Sequence, residues 1–210
     1  MKLISESRRR LLLAAPALAT ALAPAAARSE APLRTPAHIV IVGSGLGGIA
    51  VAARLRKQLD GARITLVDGK REHHYQPGFT LIASGVWPEH KVRNLNSDFH
   101  PEGVDWVQEA ALVIDPVAQT VATASGRSLR YDFLVVATGL HLDYAQIEGM
   151  DLAAIGRNGL ASVYPGPEAA SRSWQALDAF RKKGGEALMT LPTGPLKCAG
   201  APLKMSCMVA

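Results

Sequence analysis

The sequence predicts an α/β fold, and three observations carry the prediction. A β-branched run, His38-Ile39-Val40-Ile41-Val42, meets a glycine-rich turn and then a stretch with apolar residues at helical spacing. A second run, Arg63-Ile64-Thr65-Leu66-Val67, closes on an acid, Asp68. Later, Tyr131 to Ala137 reads as another buried strand that ends in Thr138-Gly139. Short apolar runs alternating with helical stretches mean a parallel sheet. The chain has 210 residues, 48% of them hydrophobic, which suits one or two domains with a real core.

Residues 1–27 read as an export signal. Ser7-Arg8-Arg9-Arg10 opens an apolar run from Leu11 to Ala27, and Ala25-Ala26-Ala27 offers a small-residue cleavage site. The adjacent arginines mark a twin-arginine type, and with it a periplasmic location. Pro16 and Pro24 interrupt the apolar run, which falls short of the ~20 residues of a membrane span. This segment also explains the charge. Lys2, Arg8, Arg9 and Arg10 against Glu6 give +3 of the net +5, so no basic stripe remains for nucleic acid. Residues 28–37 read as a linker.

The first βαβ unit starts at His38. Gly43, Gly45 and Gly48 give the spacing G-x-G-x-x-G, filled in by Ser44, Leu46 and Gly47, and a helix follows over Ile49 to Leu59. Gly43 allows the tight turn, Gly45 lets backbone approach a pyrophosphate, and Gly48 lets the helix pack on the strand. The helix N-terminus then faces the phosphates. Asp68 lies 20 residues past Gly48, the separation of a carboxylate for a ribose 2′-hydroxyl. An acid there favours FAD or NAD over NADP. This is a Rossmann-like unit, and residues 38–150 form its domain.

The later elements choose between the two cofactors. Asp105-Trp106-Val107 through Val121-Ala122-Thr123 reads as short strands with a turn at Ser125-Gly126. A glycine motif, a β meander and a strand ending in Ala137-Thr138-Gly139 resemble the two-dinucleotide-binding flavoproteins of the disulfide-reductase type. That resemblance implies FAD, with the Thr138 and Gly139 backbone close to it.

Residues 151–210 read as the start of a second, NAD-like domain. Trp174 to Lys183 is an amphipathic helix that ends at Gly184-Gly185. Glu186 to Leu191 reads as a strand. The turn after it is Pro192-Thr193-Gly194-Pro195-Leu196-Lys197-Cys198-Ala199-Gly200, with prolines and a cysteine where a pyridine nucleotide would need glycines. Cys198 falls at a helix N-terminus, where amide dipoles favour the thiolate. Cys207 is expected about two helical turns further on, roughly 9–10 Å of rise, beyond disulfide reach. It reads as a buried helix cysteine.

Tyr75-Gln76-Pro77-Gly78-Phe79-Thr80-Leu81 and Leu196-Lys197-Cys198-Ala199-Gly200-Ala201-Pro202-Leu203-Lys204-Met205 closely resemble the sulfide:quinone oxidoreductases, in the branch with the mitochondrial enzyme. Gly139 to Tyr144 and Ile147-Glu148-Gly149 fit the same family, and the resemblance runs from about residue 38 to 210. It implies FAD contacts at Leu46, Gly47, Asp68, Gln76 and Ala111, and a lysine near the active cysteine at Lys204. It also implies that sulfide attacks a disulfide between Cys198 and a second cysteine, and that electrons pass to FAD and on to a quinone. The flavoprotein subunit of flavocytochrome c sulfide dehydrogenase, with a c-type cytochrome as acceptor, is the competing relative. The family's chain is about twice as long. Its second redox cysteine and its C-terminal membrane-docking region come later, so a fragment that cannot complete turnover is expected.

Some features are weighed and set aside. Glu72-His73-His74 looks like a metal cluster, but adjacent histidines on a loop point apart, and no metal is expected. Trp87, Trp106 and Trp174 read as core or interface.

Overall fold

The computed structural model describes residues 31–191, 198 and 200–209. The chain divides into two compact units, Met1–Leu33 and Arg34–Ala210. Of the first unit only residues 31–33 are described, and they are exposed. The expected signal therefore lies outside the described residues. Every element below belongs to the second unit.

The first βαβ unit forms where expected. Strand β1 is His38–Val42, helix α1 is Leu46–Gln58 and strand β2 is Arg63–Val67. Then come β3 (Glu72–His74), a 3-10 turn at Gln76–Gly78, the short helix α2 (Phe79–Ala83) and β4 (Arg93–Leu95). Strand β5 is Asp105–Val107. Strands β6 (Ala111–Asp115), β7 (Thr120–Thr123) and β8 (Ser128–Arg130) form an antiparallel meander, and β9 is Phe133–Val136. Helix α3 spans Pro167–Lys183 and α4 spans Gly200–Val209.

Strands β9, β1, β2 and β5 make a parallel sheet in that order. Its two faces have different covers. Side chains alternate along a strand, so Ile39 and Ile41 of β1 join Ile64 and Leu66 of β2 against Ala52 of α1. Val40 and Val42 point the other way and meet Val67, Val107 and the meander residues Val121, Leu129 and Tyr131. Both faces are dry, which explains why the strands read as continuous apolar runs. Asp132 ties the sheet at its start: His38 N donates to its carboxylate at 2.7 Å, and its own N–H donates to the His38 carbonyl at 2.8 Å.

Three expectations need correction. The β9 strand is not buried: Phe133 is 62% and Val136 59% exposed. It is the outer strand of the sheet, so one edge and part of its faces lack neighbours among the described residues. Glu186 to Leu191 forms no strand, and Leu188 is 90% exposed. A strand needs a partner for its backbone groups, and none lies beside this run among the described residues. His73 and His74 sit on strand β3 rather than on a loop.

Helix α3 starts earlier than its apolar spacing suggested, with Pro167 at its first turn, where a missing N–H costs nothing. It stops as expected at Gly184 (φ +72°), whose N–H donates to the Phe180 carbonyl at 2.7 Å. Arg181, Lys182 and Lys183 occupy the negative end of its dipole.

Candidate cofactor and redox site

The glycine turn is built by close contact. Gly43 has φ +104°, and its N–H donates to the Val67 carbonyl at 2.9 Å. A methyl group on Gly43 would collide with the carbonyl of Ala137, and one on Gly48 with the carbonyl of Gly43. At Gly45 a methyl group would meet nothing within 4 Å. The turn is therefore tight where chain meets chain and open where a ligand would approach. The first α1 bond runs from Ile49 N to the Gly45 carbonyl at 3.0 Å. The first turn of α1 holds no acidic residue of its own.

This turn lies at the sheet's switch point. From β1 the chain crosses to β2 on one side, and β9 returns on the other, so a crevice opens beyond the strand ends between β1 and β9. Thr138 and Gly139 (φ +76°) follow β9 into it, with the Thr138 amide 3.1 Å from where a Gly43 methyl would sit.

Asp68 is anchored at the end of β2. Its Oδ2 accepts from Ser44 N at 2.8 Å, and its Oδ1 accepts from Lys70 N at 2.9 Å. Trp106 Nε1 donates to its carbonyl at 3.1 Å. The carboxylate thus stands directly beside the glycine turn, with lone pairs to spare. Ala111 opens β6 just beyond Ala110, whose amide lies 3.4 Å from a methyl built on Gly69. Gln76 occupies the 3-10 turn after β3. That turn is pinned by Tyr75 N to the Val92 carbonyl at 2.9 Å and by Gly78, enclosed by Val92 and Trp87.

The structure adds residues that sequence reasoning missed. Asn96 is buried, and its Nδ2 donates to Ser44 Oγ and, at 3.3 Å, to the Lys70 carbonyl. It braces the glycine turn from beneath. An asparagine in the polar string Asn94-Leu95-Asn96-Ser97 carries no sequence signal for this. Arg93 gathers three carboxylates: Glu72 at 2.6 Å, Glu89 at 2.8 Å, and Glu168 at the start of α3. His74 adds a contact to Glu72 at 2.9 Å. The His74 contact, then Arg93, holds the Glu72 carboxyl below its ordinary range. The helix amides, then Arg93, do the same for Glu168. A cavity of about 500 Å³ opens beside the first turn of α1, lined by Leu46, Ile49, His73, Tyr75, Trp87, Lys91, Asn94 and Phe99.

Cys198 is exposed and free, two residues before α4, and the Ala201 N–H donates to its carbonyl at 3.2 Å. Lys197 lies outside the described residues, and Lys204 is exposed on α4. Met205 of α4 packs against the cluster of Phe79, Ile82, Ala83, Val92 and Ala170. Ser84 Oγ also reaches Met208 Sδ at 3.9 Å. The cysteine segment is therefore mounted on α2, the helix that directly follows the Gln76 turn. Cys207 is exposed rather than buried, because the inward side of α4 is taken by Met205 and Met208.

The glycine turn, the anchored acid and the switch-point crevice together define a dinucleotide-binding α/β protein of the flavin-linked class. The chain belongs to the pyridine nucleotide-disulphide oxidoreductase family, whose pattern it matches over residues 37–169. FAD is the cofactor of this class. Among curated relatives, it is 34% identical over 174 residues to the mitochondrial sulfide:quinone oxidoreductase of Dictyostelium discoideum, covering 82% of this chain and 38% of that one. The mouse protein of the same name is 33% identical, with 80% and 36% covered. The solved sulfide:quinone oxidoreductase of Aquifex aeolicus superposes with a TM-score of 0.55 at 28% identity, over 70% of this chain and 33% of that one. The chain thus spans well under half the length of these relatives.

The relatives overturn one expectation. Those in Dictyostelium discoideum, mouse and Schizosaccharomyces pombe are mitochondrial by name, so the periplasmic, twin-arginine-exported location does not stand. A basic, then apolar, then small-residue order describes composition, and such an address is read by a receptor rather than fixed by composition. No helix among the described residues is long and apolar enough to cross a membrane.

Proposed function

We propose that the chain is the FAD-binding, cysteine-bearing part of a sulfide:quinone oxidoreductase. The observation that carries this reading is the meeting of the Gly43 turn with Ala137 at the switch point, with Asp68 held on Ser44 N. The α1 N-terminus, with Gly43, Ser44, Gly45, Leu46, Gly47 and Gly48, takes the pyrophosphate. Asp68 accepts from the ribose, and Ala111 lies along the adenosine. Gln76, Thr138 and Gly139 line the path towards the flavin end.

Cys198 takes up the sulfur of sulfide when sulfide attacks a disulfide between Cys198 and a second cysteine. The new S–S bond forms at Cys198 as the old one breaks, and the other cysteine leaves as a thiolate that carries the two electrons. Exposure gives Cys198 access. Lys204 adds positive charge on helix α4. Taking up that sulfur is an oxidation that releases two electrons; FAD, when bound, supplies the two-electron acceptor ahead of a quinone. The relatives are named for quinone, which favours it over a cytochrome subunit. A quinone is lipid-soluble, so the acceptor end belongs at a membrane surface.

The test is a fluorescence titration of the 210-residue chain with FAD, comparing Asp68→Ala and Gly45→Val. Saturable quenching that both variants weaken supports the reading. Quenching indifferent to both would defeat the cofactor assignment. In a full-length protein that carries the second redox cysteine, sulfide-dependent bleaching of the bound flavin should vanish in Cys198→Ser, and bleaching that survives would remove Cys198 from the chemistry.

A further inference from the structure

Asn96 opens the 3-10 turn Asn96–Phe99 that follows β4. Its backbone N–H donates to the Arg71 carbonyl at 2.8 Å. Its side-chain nitrogen donates to two oxygens: Ser44 Oγ in the glycine turn and, at 3.3 Å, the Lys70 carbonyl. A carbonyl can only accept, so the nitrogen of the amide, not its oxygen, faces Lys70. Both amide hydrogens are then engaged. The amide oxygen lies 3.4 Å from His73 Nδ1. Asn96 is 2% and Ser44 0% exposed. Neither side chain reaches a ligand, so an influence of Asn96 on one passes through a neighbour.

That neighbour is Asp68. Its Oδ2 accepts from Ser44 N at 2.8 Å, and its Oδ1 accepts from Lys70 N at 2.9 Å. The direction of the carboxylate therefore depends on where Ser44 and Lys70 stand relative to each other. These two residues lie on either side of β2 in the chain, and the Asn96 amide bonds to both. Ser44, Asp68, Lys70 and Asn96 thus close a ring of hydrogen bonds around the carboxylate.

We propose that Asn96 is a positioning residue for ribose recognition: by tying Ser44 to Lys70 it aims the Asp68 carboxylate, and so sets how strongly the site prefers a nucleotide with a ribose 2′-hydroxyl. With the tie removed, the carboxylate follows one flank or the other. The hydroxyl then meets it at a poorer angle, and hydrogen bonds weaken steeply as the angle closes. This inference rests on the reading of Asp68 as the ribose acceptor.

The test measures ADP and 2′-deoxy-ADP as competitors of FAD on the 210-residue chain, unsubstituted and with Asn96→Leu or Asn96→Ala. A hydrogen bond to a charged group makes the unsubstituted chain prefer ADP about tenfold or more. Each Asn96 variant should cut that preference to about threefold or less. ADP should weaken, while 2′-deoxy-ADP competes nearly as before. A loosened fold would weaken both nucleotides alike, and an unmoved ratio overturns the inference. Leucine is close to asparagine in size, and alanine serves should leucine fail to fold; far-UV circular dichroism and a cooperative melt establish folding.

In Asp68→Ala, which already lacks the acceptor, adding Asn96→Ala should change the ratio no further. A further fall would put the effect of Asn96 elsewhere and overturn the inference as well. A tenfold preference that survives both Asn96 variants sinks this inference alone. An unsubstituted chain that binds FAD without preferring ADP over 2′-deoxy-ADP removes Asp68 as the ribose acceptor and Asn96 with it. A chain that binds none of the three overturns the cofactor reading too.

Discussion

Gly43 shows how one atom decides a site. Its φ of +104° excludes an ordinary side chain, and the Ala137 carbonyl fills the place of a methyl group. Gly43→Ala should therefore cost more than about 1 kcal/mol of stability and release the flavin, as read from denaturant midpoints and retained colour. His100 makes a different prediction. Burial lowers its pKa, partly opposed by Asp68, and its Nε2 is buried without a partner among the described residues. Burial, then Arg63, lowers His38 as well. The unfolded chain binds these protons more readily than the folded one, so stability should fall as pH drops from about 6.5 through the lowered folded values. His100→Phe should flatten that slope in melts taken between pH 5 and 7. An equal slope in both proteins would remove His100 as a cause.

At the scale of elements, the β3–β4 pair is fastened to α3 by Arg93. Three carboxylates on one guanidinium join Glu72 of β3 and Glu89 ahead of β4 to Glu168 of α3. Arg93→Met leaves those carboxylates facing one another. It should lower the melting midpoint by roughly a few degrees, more than Glu168→Gln does, and salt should narrow the gap. The sheet is held differently, by dry layers. Leu66→Ala opens a hole between β2 and α1 and should cost about 2–5 kcal/mol in urea unfolding. Helix α4 is attached mainly through Met205 and Met208, so its hold on the core is lighter than that of α1.

For the whole molecule, the two faces of one sheet divide the labour. One face carries the helix proposed to meet the cofactor at its N-terminus, and the other carries the meander that closes the core. Binding to the folded state alone must stabilise it. FAD at about a hundred times its dissociation constant should add about 2.7 kcal/mol, visible as a higher midpoint that Asp68→Ala abolishes. Much of this architecture was legible beforehand. The bounds of β1 and β2, the glycine turn and Asp68 each rest on contacts a few residues apart, or on backbone demands that only glycine meets. Asn96 under Ser44 and the Arg93 cluster were not legible. Their partners lie tens of residues away, and no local pattern names them.

By itself, then, the sequence determined a βαβ unit, its glycine turn with an acid at the end of the next strand, and a cysteine ahead of a helix. Those features follow from local backbone geometry and from side-chain alternation. The tertiary structure alone decided that Glu186 to Leu191 pairs with no strand among the described residues, that β9 is the outer strand of the sheet described and that Cys207 faces outward. It also decided that the cysteine's helix rests on the element following Gln76. Strand pairing and burial depend on which surfaces meet across the chain, and no window of neighbouring residues contains that information.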